Sequence, residues 1–327
     1  MCNLARAYLE MGLYQKALQM HQQAYALQCR MIGEDHPETL TCLGNLAQTH
    51  AALRRFRTAL ELIKKQYAQL CAVLGETHPE TLTALSNMAY NYGKAGDAKK
   101  ALEIQEKMYT IQKELLGEEH PDVLKTMNNM AGMYNQLMDF RSALEIYEKV
   151  YAIQCRVMGE DHPDTLSILG NLASVHGMLG NPEKGLEMTK KMYEGHCRVL
   201  GQTHPDAIYS LNMLADCYND VEDYETALEL STKAYDLWRE TLGKEQPDRF
   251  ASLTIMARAY FGLGNLSKAL TLQQKAYSAQ SKALGKDHAD TITSMSNLVN
   301  YYLHAGDTQA ASKLAKKVKS LRQKLFE

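Results

Sequence analysis

The chain has 327 residues, 45% of them hydrophobic and 23% charged, with a formal net charge of −2 at pH 7. That balance is enough to bury a core and gives no global positive field, so neither nucleic acid nor an anionic membrane is an expected partner. No apolar run nears the roughly 18 residues that a bilayer crossing needs. The start, Met1-Cys2-Asn3-Leu4-Ala5-Arg6, lacks a basic region and an apolar stretch, so a cytoplasmic location is expected.

From the N-terminus, Met1 already stands in the frame of Leu43 and Leu85, inside a helix. Segment 1–32 is therefore expected to hold an incomplete first hairpin, with the parent protein extending upstream or an apolar edge left open. A period of 42 residues then runs through Gly33, Gly75, Gly117, Gly159, Gly201, Gly243 and Gly285. His36-Pro37, His78-Pro79, His120-Pro121, His162-Pro163 and His204-Pro205 keep the same beat, which degrades to Gln246-Pro247 and His288-Ala289. A fixed period of this size means a stack of identical supersecondary units. Residues 1–327 are read as one array: 1–32 partial; 33–74, 75–116, 117–158, 159–200, 201–242 and 243–284 complete; 285–327 a cap.

In the unit 33–74, Gly33 suits a left-handed helix end and Pro37 suits a first helical position. Asp35 or His36 is then the N-cap, and Glu38 favours the positive end of the helix dipole. Leu40, Leu43, Leu46, Ala47 and Leu53 follow at helical spacing, predicting an amphipathic helix A that ends near Arg54. After a turn at Arg54-Arg55-Phe56, the residues Ala59, Leu60, Ile63, Tyr67, Leu70 and Leu74 predict helix B. Clearer turn chemistry separates the helices at Gly96-Asp97, Gly180-Asn181-Pro182, Gly264-Asn265 and Gly306-Asp307. Each unit is thus an antiparallel helical hairpin. Propeller blades share the period but need four alternating strands, which the pattern lacks.

Small residues mark the closest helix contacts. Helix A carries Ala5, Ala47, Ala89, Ala131, Ala173, Ala215 and Ala257; helix B carries Ala17, Ala59, Ala101, Ala143, Ala227, Ala269 and Ala311, with Gly185 in one unit. A tyrosine recurs late in helix B (Tyr25, Tyr67, Tyr109, Tyr151, Tyr193, Tyr235, Tyr277), its ring expected between units and its hydroxyl at water or backbone. The methionines, among them Met88, Met108, Met127, Met130, Met133 and Met138, are expected to fill the core.

With these residues the chain resembles a tetratricopeptide repeat array. The 42-residue form, with Leu-Gly-x-x-His-Pro-[Asp/Glu] between units and Asn-[Leu/Met]-Ala in helix A, is similar to the kinesin light chain and nephrocystin-type repeats, and to sensor arrays appended to some signalling NTPases. The likeness covers the whole chain, and the paired small residues and His-Pro junction favour it over HEAT-type units. It implies an all-α fold, a right-handed superhelical solenoid of antiparallel hairpins, with helices A lining a concave groove that binds a segment of another protein.

The matching feature in that groove is an asparagine two residues ahead of the helix A alanine: Asn3, Asn45, Asn87, Asn129, Asn171 and Asn297, replaced by Met213 and Ile255 in two units. An amide offers donor and acceptor together, so such a row can pair with a guest backbone of any sequence. It can equally bond its own neighbouring unit and stabilise the stack. Tyr90, Lys125, Asn128, Asn212, Asp216 and Arg258 share that face one turn away. Its mixed polarity, without converging cations, suits a neutral groove rather than a carboxylate clamp.

Other patterns carry less. Cys29, Cys71, Cys155 and Cys197 share a frame position, but stacked helices lie about 8–10 Å apart and a disulfide needs Cα atoms within roughly 7 Å. The histidine row offers one imidazole per unit, whereas zinc needs four ligands, so it is read as a helix-start device and no metal or cofactor is expected. Gly262 to Lys268 lacks the spacing of a phosphate loop and falls in a helix–helix turn. No nucleophile elbow, HExxH motif or carboxylate pair argues for catalysis, and no small-molecule substrate is expected. Lys313, Lys316, Lys317, Lys319, Arg322 and Lys324 make the last helix basic, as a solubilising cap or a patch for an acidic partner. The reading is a non-enzymatic scaffold or adaptor that binds a protein or peptide. The alternative is a regulatory sensor array of a larger signalling protein, its catalytic part upstream of Met1.

Overall fold

The computed structural model describes residues 1–241 and 248–326, so Gly243 and Gln246-Pro247 lie outside the described residues, as does the Lys324 side chain. The described residues form helices and no strand. They fall into two compact units, Met1–Ile146 and Tyr147–Glu327.

The first unit holds α1 (Cys2–Glu10), α2 (Tyr14–Ile32), α3 (Pro37–Ala52), α4 (Phe56–Leu74), α5 (Pro79–Lys94), α6 (Ala98–Leu116) and α7 (Pro121–Gln136). The unit boundary falls within α8 (Phe140–Met158). The second unit holds α9 (Pro163–Met178), α10 (Pro182–Leu200), α11 (Pro205–Asp220), α12 (Tyr224–Thr241), α13 (Asp248–Gly262), α14 (Leu266–Ala283), α15 (Ala289–His304) and α16 (Thr308–Phe326). Odd-numbered helices are helices A and even-numbered ones helices B. No described helix is long and apolar enough to cross a membrane.

The junction works as its residues require. Gly33 has φ 96° and ψ 161° and Gly75 has φ 88° and ψ 163°; this is the mirror image of extended backbone, open in practice only to glycine. The residue two before each junction aspartate or glutamate of helix A is the cap: the ring Nδ1 of His36 accepts from the Glu38 backbone N–H at 3.2 Å, and His78, His120, His162, His204 and His288 do the same. His36, rather than Asp35, is therefore the N-cap. Within a hairpin the turn needs a left-handed residue. Gly12, Gly96, Gly180, Gly264 and Gly306 provide it, while Arg54, Met138 and Glu222 adopt it at φ 60°, 62° and 64°.

The small residues sit where the helices close. Ala5, Ala17, Ala47, Ala59, Ala101, Ala131, Ala143, Ala215, Ala227, Ala257 and Ala269 are wholly buried. Around them Leu60 and Ile63 of α4 pack with Leu85 and Met88 of α5 and Met108 of α6, each large apolar side chain contributing about 1.5–3 kcal/mol on burial. In the second unit Leu166 and Leu169 pack on Met192, and Ile208 and Leu211 on Trp238.

Two expectations need correction. Met138 is 74% exposed because it occupies the left-handed turn, not the core; Met88, Met108 and Met127 are buried. The tyrosine hydroxyl, expected at water or backbone, meets a lysine side chain at Tyr25, Tyr67 and Tyr235. Lys65 Nζ donates to Tyr25 at 3.3 Å, Lys107 to Tyr67 at 3.0 Å and Lys275 to Tyr235 at 3.4 Å, each from the next helix B.

Candidate functional site

In the first unit the asparagine row is carried by α3, α5 and α7. Asn45, Asn87 and Asn129 each stand two residues ahead of an alanine that is at most 2% exposed (Ala47, Ala89, Ala131). The tightest helix contact thus fixes their backbone positions. Their amides are half-buried, and among the described residues they make no side-chain hydrogen bond. Their backbone carbonyls are used within the helix: Thr49 Oγ1 donates to Asn45 O at 2.9 Å, and Asn91 Nδ2 to Asn87 O at 2.8 Å. Tyr90, 59% exposed, lies one turn beyond Asn87 with Lys94 Nζ 5.4 Å from its ring centre. Lys125 is exposed at the start of α7, and Asn128 is half-buried and engaged within the fold.

In the second unit the same helix A face is hollow. Asn171 lines a cavity of about 430 Å³ with Ser167, Gly170 and Ser174 of α9, Asp206, Tyr209 and Met213 of α11, and Met192 and His196 of α10. An adjoining cavity of about 490 Å³ shares Ser174 and Met213 and continues to Asp216, Cys217, Asp220 and Arg258. Gly170 leaves the room: a Cβ there would stand 3.1 Å from Met192 Sδ. The two cavities are lined by the methionines Met192 and Met213 together with hydroxyl, amide and charged groups.

Charge at the far end is internally matched. Arg258 Nη1 lies 3.0 Å from Asp216 Oδ1 and Nη2 lies 2.5 Å from Asp220 Oδ1. Desolvation pushes the Asp216 carboxyl above its ordinary range, with the neighbouring Asp220 charge adding and Arg258 opposing. Because both carboxylates claim the guanidinium, Arg258 does not stand ready to clamp an incoming anion. Asn212 is 5% exposed and its Oδ1 accepts from Ser252 Oγ at 2.8 Å, so it ties α11 to α13. Asn219 Nδ2 does likewise to Ile255 O at 3.2 Å. His196 is buried and lies 3.2 Å from Ser210 Oγ, whose proton goes to backbone carbonyls; burial lowers the pKa of this imidazole.

The sequence put Asn171, Asp216 and Arg258 on the helix A face, where these cavities lie, and did not single out Ser167, Ser174, Tyr209 or Met192. Ser174 shares its frame with Tyr90, Asp216 and Arg258, and Ser167 and Tyr209 share theirs with Lys125, so the periodicity held that signal. Met213, a break in the asparagine row, lines both cavities. The stretch Gly262 to Lys268 spans the end of α13, a short turn and the start of α14, where Asn265 Oδ1 accepts from the Lys268 N–H at 3.1 Å.

A family model described as Tetratricopeptide repeat matches residues 1–70, 80–156, 122–195, 206–280 and 248–324. No curated protein matches the chain. Among solved structures, the putative kinesin light chain of Podosopora anserina with nearly identical TPR-like repeats is 26% identical, covers 63% of this chain and 98% of its own, and superposes with a TM-score of 0.56. A signal transduction ATPase with numerous domains from Pyrococcus horikoshii, carrying a tetratricopeptide repeat sensor, is 16% identical with a TM-score of 0.59, over 97% of this chain and 45% of its own. A Rap protein complexed with competence and sporulation factor is 12% identical with a TM-score of 0.65, over 96% of this chain and 87% of its own.

Proposed function

Since the chain belongs to the tetratricopeptide repeat family, we propose that it is a non-enzymatic scaffold whose helices A bind a peptide segment of a partner protein. The observation that carries this reading is the row of half-buried, unbonded amides Asn45, Asn87 and Asn129 on successive helices A. Neighbouring packed helices lie about 8–10 Å apart, and an extended guest advances about 3.3 Å per residue, so each amide meets roughly every third guest residue. Within the second unit, the cavity lined by Asn171, Ser174 and Met213 on helices A offers room for an apolar anchor. That the Rap protein was crystallised with competence and sporulation factor agrees with a fold able to hold such a ligand. The sensor-array alternative rests on fold likeness to the ATPase alone.

The test is the double variant Asn87→Ala/Asn129→Ala, with peptides selected on the folded chain from a displayed library and their affinities measured by calorimetry. The expected loss of binding is at least about 1–3 kcal/mol, with the melting temperature little changed. A clear loss of stability with affinity intact would assign these amides to the stack and overturn the proposal.

A further inference from the structure

Every unit after the first repeats a lysine on helix B: Lys65, Lys107, Lys149, Lys191, Lys233, Lys275 and Lys317. Lys65 Nζ reaches Tyr25 Oη at 3.3 Å and Glu34 at 2.9 Å, and Lys107 Nζ reaches Tyr67 Oη at 3.0 Å and Glu76 at 3.1 Å. Lys191 instead takes Glu187, one turn earlier on its own helix, at 2.8 Å. Carboxylates thus come from two frame positions. One is the junction, with Glu34, Glu76, Glu118 and Glu160; the other is helix B, with Glu61, Glu103, Glu145, Glu187 and Glu229.

In the last repeat both positions are lysine, Lys286 and Lys313. Lys317 keeps its bond to Tyr277 Oη at 3.3 Å, and among the described residues no carboxylate pairs with it or with Lys313. The two lysines stand four apart on one helix, a spacing at which like charges repel, and 308–326 contains no Asp or Glu. Asp307 is committed to capping, its Oδ1 accepting from the Ala310 N–H at 2.9 Å.

Lys313 and Lys317 line a cavity of about 450 Å³ between α14, α15 and α16, walled by Tyr277, Leu298, Tyr302 and Leu314. Gln274 Nε2 donates to Tyr302 Oη at 2.8 Å and holds that ring at the wall. Apolar walls beside two unmatched ammonium groups are complementary to a carboxylate with an aliphatic neighbour. We propose that this cavity is a second binding site, independent of the helix A groove, that takes an acidic peptide segment. A Glu or Asp side chain lies between Lys313 and Lys317, supplying the kind of carboxylate that Lys65, Lys107 and Lys191 find within the fold, while an adjacent apolar side chain packs on Leu298 and Leu314.

Fluorescence anisotropy on the full chain, with a labelled peptide alternating Glu and Leu, tests this. Saturable binding is expected, and none to the matching Gln-Leu peptide. Lys313→Glu restores the Glu187–Lys191 spacing, so the helix content should persist while affinity falls at least about tenfold; Lys317→Gln serves as the second variant, with a loss in the same direction. Lys319→Gln, on the same helix outside the cavity, should change affinity less than about twofold, and Asn87→Ala/Asn129→Ala should leave it unchanged. The proposal is overturned by wild-type binding in Lys313→Glu, or by no saturable binding of the Glu-Leu peptide. Preferred binding of an oligothymidylate, weakened as much by Lys319→Gln as by Lys313→Glu, would also overturn it and point to a general phosphate-binding cap.

Discussion

Gly185 separates a positional rule from a contact. Six complete or partial units place a wholly buried alanine at its frame position (Ala17, Ala59, Ala101, Ala143, Ala227, Ala269), and an interior helical glycine costs about 1 kcal/mol relative to alanine. By frame alone, Gly185→Ala should stabilise. In the hairpin of α9 and α10, however, a Cβ at Gly185 would stand 2.9 Å from the carbonyl oxygen of Ala173, well inside the roughly 3.5 Å at which nonbonded atoms attract. The obstacle is backbone, so relief requires moving one helix, and overpacking of this kind costs about 1–3 kcal/mol. Subtracting the propensity gain leaves an expected net loss of about 1 kcal/mol. Gly177 in α9 is the control: a Cβ there meets nothing within 4 Å, so Gly177→Ala should gain about 0.5–1 kcal/mol. Urea unfolding followed by far-UV circular dichroism reads both variants. If the two midpoints move in the same direction, helix approach does not govern this hairpin and the argument fails.

Two further outcomes follow from the geometry. Met138→Gly should stabilise by about 1 kcal/mol, because a non-glycine residue pays about 1–2 kcal/mol for left-handed backbone and the methionine side chain is 74% exposed; an unchanged or lower urea midpoint would contradict that. Burial lowers the pKa of His21, His50, His176 and His196 below the ordinary 6.5, so just below that pH the unfolded chain binds more protons than the folded one. The stability these neutral rings allow is complete above 6.5, is lost as pH falls through the window below it, and levels off once the lower folded values are passed. His21 shows why: Thr49 Oγ1 gives its proton to Asn45 O, so His21 donates from Nδ1 at 2.8 Å, and its Nε2 is buried without a partner. A stability profile flat from neutral pH to about pH 5 would mean that these rings protonate freely in the fold.

Much of this molecule was legible because its determinants are local. Gly33 needs positive φ, Pro37 needs no donor, His36 caps the helix that it begins, and alanine at two frame positions permits close approach; each acts within a turn or a hairpin, so a 42-residue period reports it. What the tertiary structure decided depends on distances between elements. Asn212 and Asn171 look alike as polar residues of helix A, yet the first is buried against Ser252 and the second rims a cavity. Arg258 could have been a free cation, until Asp216 and Asp220 were seen at its two nitrogens. Tyr25, Tyr67, Tyr235 and Tyr277 met a lysine 40 residues on, and Met213 became part of two cavity walls rather than a gap in a row. Periodicity states which residues share a face; how far apart two helices settle, and so which side chains meet or leave space between them, follows only from packing.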